Sequence, residues 1–272
     1  MIRYSALPLL LLGALLKAAP TRAAAPALPA FPGVTETAGP ADIDWSATLV
    51  RARSASPAVP GGRLVAEDQA IRQLGPRLLD GAAAARLDRE TTAGGLLVSG
   101  SPLARRLDGD TPSAWRVVET RYYASGKVEM EGEFDLGAWL RPWVVARAQV
   151  RPPAPTSTTE FTGILVDARD LPAAGALAPR LLDAEGHVLY DADRLDIPTA
   201  RVRTPVQYVV DPADPRAVQR AGTRPLVVRA TGVRDRVDLV IAPDDAARLV
   251  SLTAGTRLLL EARVVLVLDP PS

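Results

Sequence analysis

Several side chains in residues 164–191 could carry out acid–base chemistry. They are Asp167, Asp170, Asp183, Asp191 and the chain's single histidine, His187. Two carboxylates in different environments can share acid and base roles, as in glycoside hydrolysis. Aspartates are also common at turns and strand ends, because they accept hydrogen bonds from nearby backbone N–H groups. Two hypotheses stay open here: a carboxylate-dependent hydrolase, with Asp167 and Asp183 as first candidates, and a structural role.

The residue inventory excludes most familiar active sites. The chain has no cysteine and one histidine, so thiol catalysis, disulfides and multi-histidine zinc sites are ruled out. It contains no Gly-x-Ser-x-Gly elbow, GxxxxGK[ST] phosphate loop or GxGxxG fingerprint. His187 could act as a general base, but a lone histidine at the start of a core strand is the simpler interpretation. We expect no catalytic, cofactor-binding or metal-binding residue and predict that the protein is not an enzyme.

The segment 128–136 (VEMEGEFDL) contains a row of acids at alternate positions. This alternation predicts a strand with one buried face and the acids on the other. The acids are Glu129, Glu131, Glu133 and Asp135. Neighbours in this row would stand about 6.6 to 7 Å apart, which suits a solvated face better than one metal shell. We expect these acids to pair with Arg116 or Arg121 of the preceding strand.

A serine–lysine hydrolase would have to use Lys127, which lies two residues after Ser125. Both residues fall in the turn between two β-rich segments, 115–123 and 128–136. Side chains at a hairpin tip are solvated, and nothing in the sequence would lower the pKa of this lysine. The segment therefore favours a β-hairpin over a catalytic pair.

The N-terminus has the layout of a secretory signal peptide. Arg3 precedes a short apolar run at 6–16, and residues 21–23 (TRA) predict cleavage after Ala23. An uncleaved anchor is the alternative, although the run is short for a membrane span. Removing 1–23 lowers the basic residues from 32 to 29, against 31 acidic ones, which leaves no basic footprint for nucleic acid. We expect a periplasmic or secreted protein whose membrane association, if any, is peripheral.

Two segments rich in proline divide the rest of the chain. Residues 24–41 are predicted to be a tether and residues 151–159 a linker. This places one domain at 42–150 and another at 160–272. The predicted class is α+β, with a strand–helix–hairpin domain followed by a β-dominated domain that contains one short helix.

In the first domain we expect a strand at Asp44–Ala52, a helix beginning near Arg63 and the hairpin described above. Gly75-Pro76 should kink or break the helix, leaving a short second piece at 82–87. The predicted apolar stripe of the helix consists of Leu64, Ile71, Leu74 and Leu78.

In the second domain the β-rich segments predict a series of strands. They are 161–166, 177–183, 187–190, 206–210, 226–230, 237–241 and a long terminal strand at 257–268. Pro243 should begin the one helix, because proline suits the first helical position and Asp244 and Asp245 complement the helix dipole.

The order of these elements resembles a known family. The segments that carry the resemblance are AEDQAIRQLGPRLLD at 66–80, YYASGKVEM at 122–130, residues 161–191 and PLVVRATGVRDRVDLVIAPDDAARL at 225–249. The chain resembles exported bacterial envelope proteins similar to the FlgP-like flagellar outer-membrane lipoproteins. The most specific motif, TG-x-x-VDAR…LAPR-x-x-D-x-x-G-x-x-x-Y, lies in the second domain.

The resemblance implies a structural protein that associates with the outer membrane and assembles into rings or discs around a motility or envelope machine. The lipidated cysteine of that family is absent, so we expect no direct lipid anchor. We predict a self-associating protein or a component of a larger envelope or motility complex, with edge strands such as 257–268 pairing between protomers. The alternatives are a monomeric periplasmic ligand- or peptide-binding module, which a large apolar pocket would favour, and the carboxylate hydrolase.

Overall fold

The computed structural model describes residues 31–150, 159–253 and 256–270, which form two β-sheets with helices packed on them. The predicted signal peptide, residues 24–30 of the tether and nearly all of the linker lie outside these ranges. The α+β class is confirmed. Residues 31–272 group into one compact unit. Within the described ranges, no helix is both long and apolar enough to cross a membrane.

The first sheet has five antiparallel strands in the spatial order β1-β2-β3-β5-β4. They are β1 (Thr35–Ala38), β2 (Ala41–Asp44), β3 (Leu49–Ser56), β4 (Trp115–Tyr122) and β5 (Val128–Asp135). The predicted hairpin is confirmed as β4 and β5. Residues 35–41 belong to the β1–β2 hairpin, so the tether prediction was wrong there. The strand predicted at Asp44–Ala52 is also corrected, because a turn at 45–48 separates β2 from β3.

Helix α1 (Arg63–Ala84) covers this sheet and continues through Pro76, so the predicted break was wrong. Pro76 is exposed, and water can satisfy the carbonyl that loses its intrahelical partner. The predicted apolar stripe was half right, because Leu64 is 78% and Ile71 is 42% exposed. The buried face combines the predicted Leu74 and Leu78 with small residues at the same four-residue spacing, Ala66, Ala70 and Ala82. Small side chains let the helix approach the sheet closely.

Three further helices complete this part of the molecule: α2 (Ala93–Val98), α3 (Pro102–Asp110) and α4 (Leu136–Arg147). Thr92, Ser101 and Asp135 cap their N-termini. Helix α4 was not predicted, although its buried residues Leu136, Trp139, Leu140, Trp143 and Val144 follow a helical period, because Pro142 interrupts the segment. Asp135 ends β5 and caps α4 through a 2.8 Å bond from the Ala138 N–H to its Oδ1, so Leu136 begins a helix rather than extending the strand.

The second sheet has seven strands in the spatial order β8-β7-β11-β10-β6-β12-β9. They are β6 (Gly163–Asp167), β7 (Leu181–Leu182), β8 (Val188–Tyr190), β9 (Gln207–Val209), β10 (Pro225–Arg234), β11 (Asp238–Ile241) and β12 (Val264–Val267). The four strands β10, β6, β12 and β9 run parallel. Strands β6 and β12 are interior strands of this sheet with buried residues on both faces, which explains their continuous apolar sequences.

Helices α5 (Ile197–Ala200), α6 (Pro215–Ala221) and α7 (Pro243–Thr253) accompany this sheet, rather than the one helix predicted. The predicted start of α7 at Pro243 is confirmed. Helix α6 packs on one face of the sheet through Ala217 and Ala221. The sequence contains a start signal for this helix, an aspartate followed by a proline. In the structure Asp214 caps the helix by accepting the Arg216 N–H, and Pro215 occupies the first turn.

The terminal strand is much shorter than predicted. Only Val264–Val267 is extended, and these residues pair with β6 on one side and β9 on the other. A turn that includes Ala262 at φ 53° replaces the first half of the predicted strand. A central strand has no free edge, so the hypothesis that residues 257–268 pair between protomers was wrong.

The two sheets share one hydrophobic core. Residues from both belong to the same cluster of buried side chains, and the rings of Trp45 and Tyr208 lie 6.2 Å apart. Backbone contacts reinforce the junction, since the Leu177 N–H donates to the Arg86 carbonyl at 2.9 Å. The two sheets therefore pack directly against each other, and this packing holds the walls of any cleft between them in place.

Candidate functional site

Asp167 is the last residue of β6, and Asp170 lies in the loop at its carboxyl end. The Arg169 guanidinium binds both oxygens of Asp167, at 2.8 and 2.6 Å. These bonds hold the pKa of Asp167 below its ordinary value, although partial burial opposes them. Asp170 adopts a positive φ of 64°, and its N–H donates to Asp269 at 2.8 Å. Both aspartates therefore have structural partners.

Asp183 and His187 form a pair across the turn between β7 and β8. Asp183 accepts the His187 N–H at 2.7 Å and contacts the ring Nδ1 at 2.8 Å. Burial raises the pKa of Asp183, but the bonds from His187 outweigh it and lower the pKa. Donor atoms of Asp183, Glu185 and His187 lie within 4.8 Å of one another, close enough to hold a cation. The His187 side chain is 78% exposed, however, and Asp183 is already satisfied by the turn.

Asp191 is the one predicted carboxyl whose pKa is raised, by burial first and by Asp193 second. Within the described residues its Oδ1 accepts no hydrogen bond. Asp167, Asp183 and Asp191 are not among the groups that act most strongly on one another's pKa values. The neighbours that act most strongly on them are Arg169, His187 and Asp193, respectively. The catalytic carboxylate pair considered from the sequence gains no support from this arrangement.

The acidic row on β5 is paired with cations from both neighbouring strands. Arg116 of β4 binds Glu133 at 3.1 Å, as predicted, but Arg121 binds Glu119 instead. Two partners from β3 were not predicted, because Arg51 binds Glu133 at 3.0 Å and Arg53 binds Glu131 at 2.9 Å. The row is therefore a salt-bridged sheet face.

Lys127 at the tip of the hairpin binds the Glu129 carboxylate. This hydrogen bond raises the pKa of Lys127, whereas a catalytic base would need a lowered one. Ser125 helps to close the turn, because its hydroxyl accepts the Lys127 N–H at 3.4 Å. The geometry does not favour the serine–lysine hydrolase.

Residues of the motif that carries the family resemblance hold the second sheet together. Thr162 donates to the Ala221 carbonyl at 2.7 Å, joining β6 to α6. Arg180 binds the fully buried Asp238 of β11 at 2.8 Å. Gly186 supplies a positive φ of 96° in the β7–β8 turn, and the buried Tyr190 hydroxyl donates to the Pro205 carbonyl at 2.7 Å. The motif therefore describes a fold rather than a reaction.

Strand β4 forms an open edge of the first sheet. Among the strands that the structure describes, it pairs only with β5, and its exposed apolar residues are Val117, Val118 and Tyr122, followed by Tyr123. The Tyr123 N–H donates to the Lys127 carbonyl at 3.0 Å. Because N–H directions alternate along a strand, the N–H groups of Tyr122 and Thr120 point away from the sheet. A bulge between Val117 and Glu119 confines regular pairing to the half of the edge nearest the hairpin tip.

A cleft of about 380 Å³ lies between the two sheets. Its walls are α4, the 45–48 turn, the 202–204 loop and α6, and its charged lining residues are Arg141, Arg203, Arg216, Arg220 and Asp135. A large apolar pocket was named above as the feature that would favour a ligand-binding module, whereas this cleft is polar and cationic. Four segments far apart in the sequence build it, so no local motif could have indicated it.

Comparison with known proteins finds one family in the second half of the chain. The model of the second domain of Treponema pallidum Tp0624 matches residues 163–270, from β6 to the end of the described chain. The comparison points to this domain, whereas the sequence motifs resembled FlgP-like lipoproteins. No curated protein matches the chain. The match covers less than half of the sequence, and over that segment the chain is similar to the Tp0624 second domain.

Proposed function

We propose that the protein is a non-enzymatic, exported structural component of the bacterial cell envelope that self-associates through the open edge of β4. The signal-peptide pattern at 1–23 supports export. The resemblance to FlgP-like outer-membrane lipoproteins supports a place in an envelope or motility complex, with peripheral association with the membrane. The observation that carries the proposal is the unpaired edge of β4, because such an edge is a template for another strand.

The residues of this edge favour a second copy of the same chain as the partner. An antiparallel pair centred on Thr120 places Glu119 opposite Arg121 of the other copy, and the reverse. It also brings the two Thr120 residues face to face and sets Val118 near the second Tyr122. Opposite charges, threonine pairs and aromatic–β-branched pairs across strands are all favourable. Such an interface is two-fold symmetric, as most homo-oligomer interfaces are.

A single cysteine at the centre of the edge tests this arrangement, since the chain has no cysteine of its own. In the proposed pair the two Thr120 Cα atoms would lie about 5.5 Å apart, within reach of a disulfide. We expect Thr120→Cys to form a covalent dimer under mild oxidation, measured on a non-reducing gel. The yield should fall severalfold when Val118→Lys is added, because a charged lysine on an edge opposes pairing.

Val98→Cys is the matched control, because Val98 is 88% exposed on α2 and away from the proposed interface. If Val98→Cys dimerises as readily as Thr120→Cys, the cross-link reports random collision. If neither variant cross-links at high protein concentration, the β4 edge does not mediate self-association.

A monomeric ligand-binding module is the second candidate function, and the cleft between the sheets favours it. Its volume, about 380 Å³, falls in the range of small-molecule sites. Ligand binding in the cleft is also compatible with self-association, because the cleft lining and the β4 edge share no residue.

A further inference from the structure

The cleft between the sheets contains three arginines without a carboxylate partner. Arg141 donates to the Arg201 carbonyl at 2.9 Å, and Arg203 donates to the Glu261 carbonyl at 3.3 Å. Arg220 donates to the carbonyls of Thr204 and Ala262 and to the Thr204 hydroxyl, at 2.9 to 3.1 Å. All these acceptors are neutral. In the part of the chain that the structure describes, none of the three arginines forms an ion pair.

Within the lining, Arg216 shows the opposite arrangement. Arg216, the fourth arginine of the lining, is held by Asp214 through two bonds of 3.0 Å from its Nε. Asp135 is the one carboxylate of the lining, and its Oδ1 is already engaged by the N-terminus of α4. The cleft therefore keeps an excess of positive charge.

The energetic cost of a positive charge without a counter-ion is clearest at Arg220. Burial lowers its pKa to about 10, and the neighbouring charge of Arg203 acts in the same direction. The guanidinium is still protonated at neutral pH, so a cation sits in a poorly solvated place without a counter-ion. Such a charge is costly unless an anion pairs with it. An anionic ligand would compensate this cost.

The chemistry of the donors selects the anion. A guanidinium presents a planar fork of N–H groups that matches phosphate and carboxylate oxygens. A phosphomonoester carries about −1.5 to −2 charges and three acceptor oxygens, which suits three unpaired cations better than the single charge of a carboxylate. We infer that the cleft binds the phosphate of a phosphomonoester, with Arg141 and Arg203 contacting the phosphate and Arg220 supplying charge behind them.

This inference goes beyond self-association, which makes no use of the cleft. The phosphate could belong to a soluble ester or to a lipid headgroup, and both present the same chemistry. The cleft volume of about 380 Å³ leaves room for a substituent beyond the phosphate itself.

Titration calorimetry on the purified protein tests the inference, with inorganic phosphate, glycerol 3-phosphate and succinate as probes. We expect both phosphates to bind, and we expect succinate, a dianion whose charge is divided between two separate carboxylates, to bind at least tenfold more weakly. Arg141→Gln and Arg203→Gln should each weaken phosphate binding about tenfold, because each removes charge-assisted hydrogen bonds. Flotation with phosphatidylcholine vesicles, with and without phosphatidic acid, then separates a lipid source from a soluble one.

Arg105→Gln is the matched control, because Arg105 also donates to one backbone carbonyl, that of Gly100, and lies outside the cleft. It should bind phosphate as the wild type does. The inference is overturned if neither phosphate binds to the folded protein or if succinate binds as tightly. It is equally overturned if Arg105→Gln weakens binding as much as the cleft variants do.

Discussion

At the residue scale, Asp167, Asp183 and His187, which looked chemical in the sequence, are occupied in structural contacts. Asp167 is bound by Arg169, and Asp183 closes a turn with His187. Sequence shows which residue types are present and where turns fall, but not whether a carboxylate has a partner. Asp214 and Asp238 look equally suited to chemistry, yet they are buried in ion pairs that stabilise the second sheet.

The Asp167–Arg169 pair predicts a specific dependence of stability on pH. Hydrogen bonding to Arg169 lowers the pKa of Asp167 from its ordinary 3.8. A carboxyl with a lowered pKa stabilises the fold above its ordinary pKa, and this stabilisation is lost as the pH falls through the lowered value. We expect Asp167→Asn to reduce the free energy of unfolding most near neutral pH, with the difference shrinking below about pH 4. Urea denaturation across this range measures it.

Arg169→Gln provides the control for this prediction. In that background, Asp167→Asn should have a smaller effect with a flatter pH dependence, because the interacting partner is gone. If the effect of Asp167→Asn on the free energy of unfolding depends on pH as strongly in the Arg169→Gln background as in the wild type, a group other than Arg169 is responsible for it.

At the scale of elements, α1 shows what a hydrophobic pattern leaves out. The sequence correctly predicted a helix, but the large apolar residues Leu64 and Ile71 point to solvent while alanines face the sheet. Leu74 and Leu78 also face the sheet, so this face combines large apolar side chains with alanines that allow close packing. The same limitation affected β12, because a short apolar run predicts a buried strand without showing whether it lies at the centre or the edge of a sheet.

Two glycine substitutions separate packing from helix propensity. A Cβ at Gly81 of α1 would meet Val50 at 2.6 Å and Ala41 at 2.7 Å, whereas a Cβ at Gly109 of α3 would meet nothing within 4 Å. Alanine favours a helix over glycine by up to about 1 kcal/mol. We expect Gly109→Ala to stabilise the protein by about 0.5 to 1 kcal/mol, measured by urea denaturation.

Gly81→Ala should destabilise it by about 1 to 3 kcal/mol, because overpacking exceeds the gain in propensity. A stabilising Gly81→Ala would mean that α1 does not pack tightly on β2 and β3.

At the scale of the whole molecule, the two structural features on which the functional proposals rest are the cleft and the β4 edge. Neither could be predicted from the sequence. The class, the β4–β5 hairpin and the start of α7 follow from local patterns. The cleft arises where α4 meets the 202–204 loop and α6, and its four walls are brought together only by the shared core. The free edge of β4 likewise depends on the order of strands in the sheet, which a single sequence does not specify.

Self-association through β4 is the central claim, and the solution mass of residues 24–272 tests it most directly. We predict that light scattering gives a dimer or larger species whose mass falls toward that of the monomer on dilution. Thr120→Pro should abolish association while preserving the circular dichroism spectrum, because proline removes an outward N–H that an edge strand can lose. A wild-type protein that remains monomeric at high concentration, or a folded Thr120→Pro variant that associates unchanged, would contradict the claim.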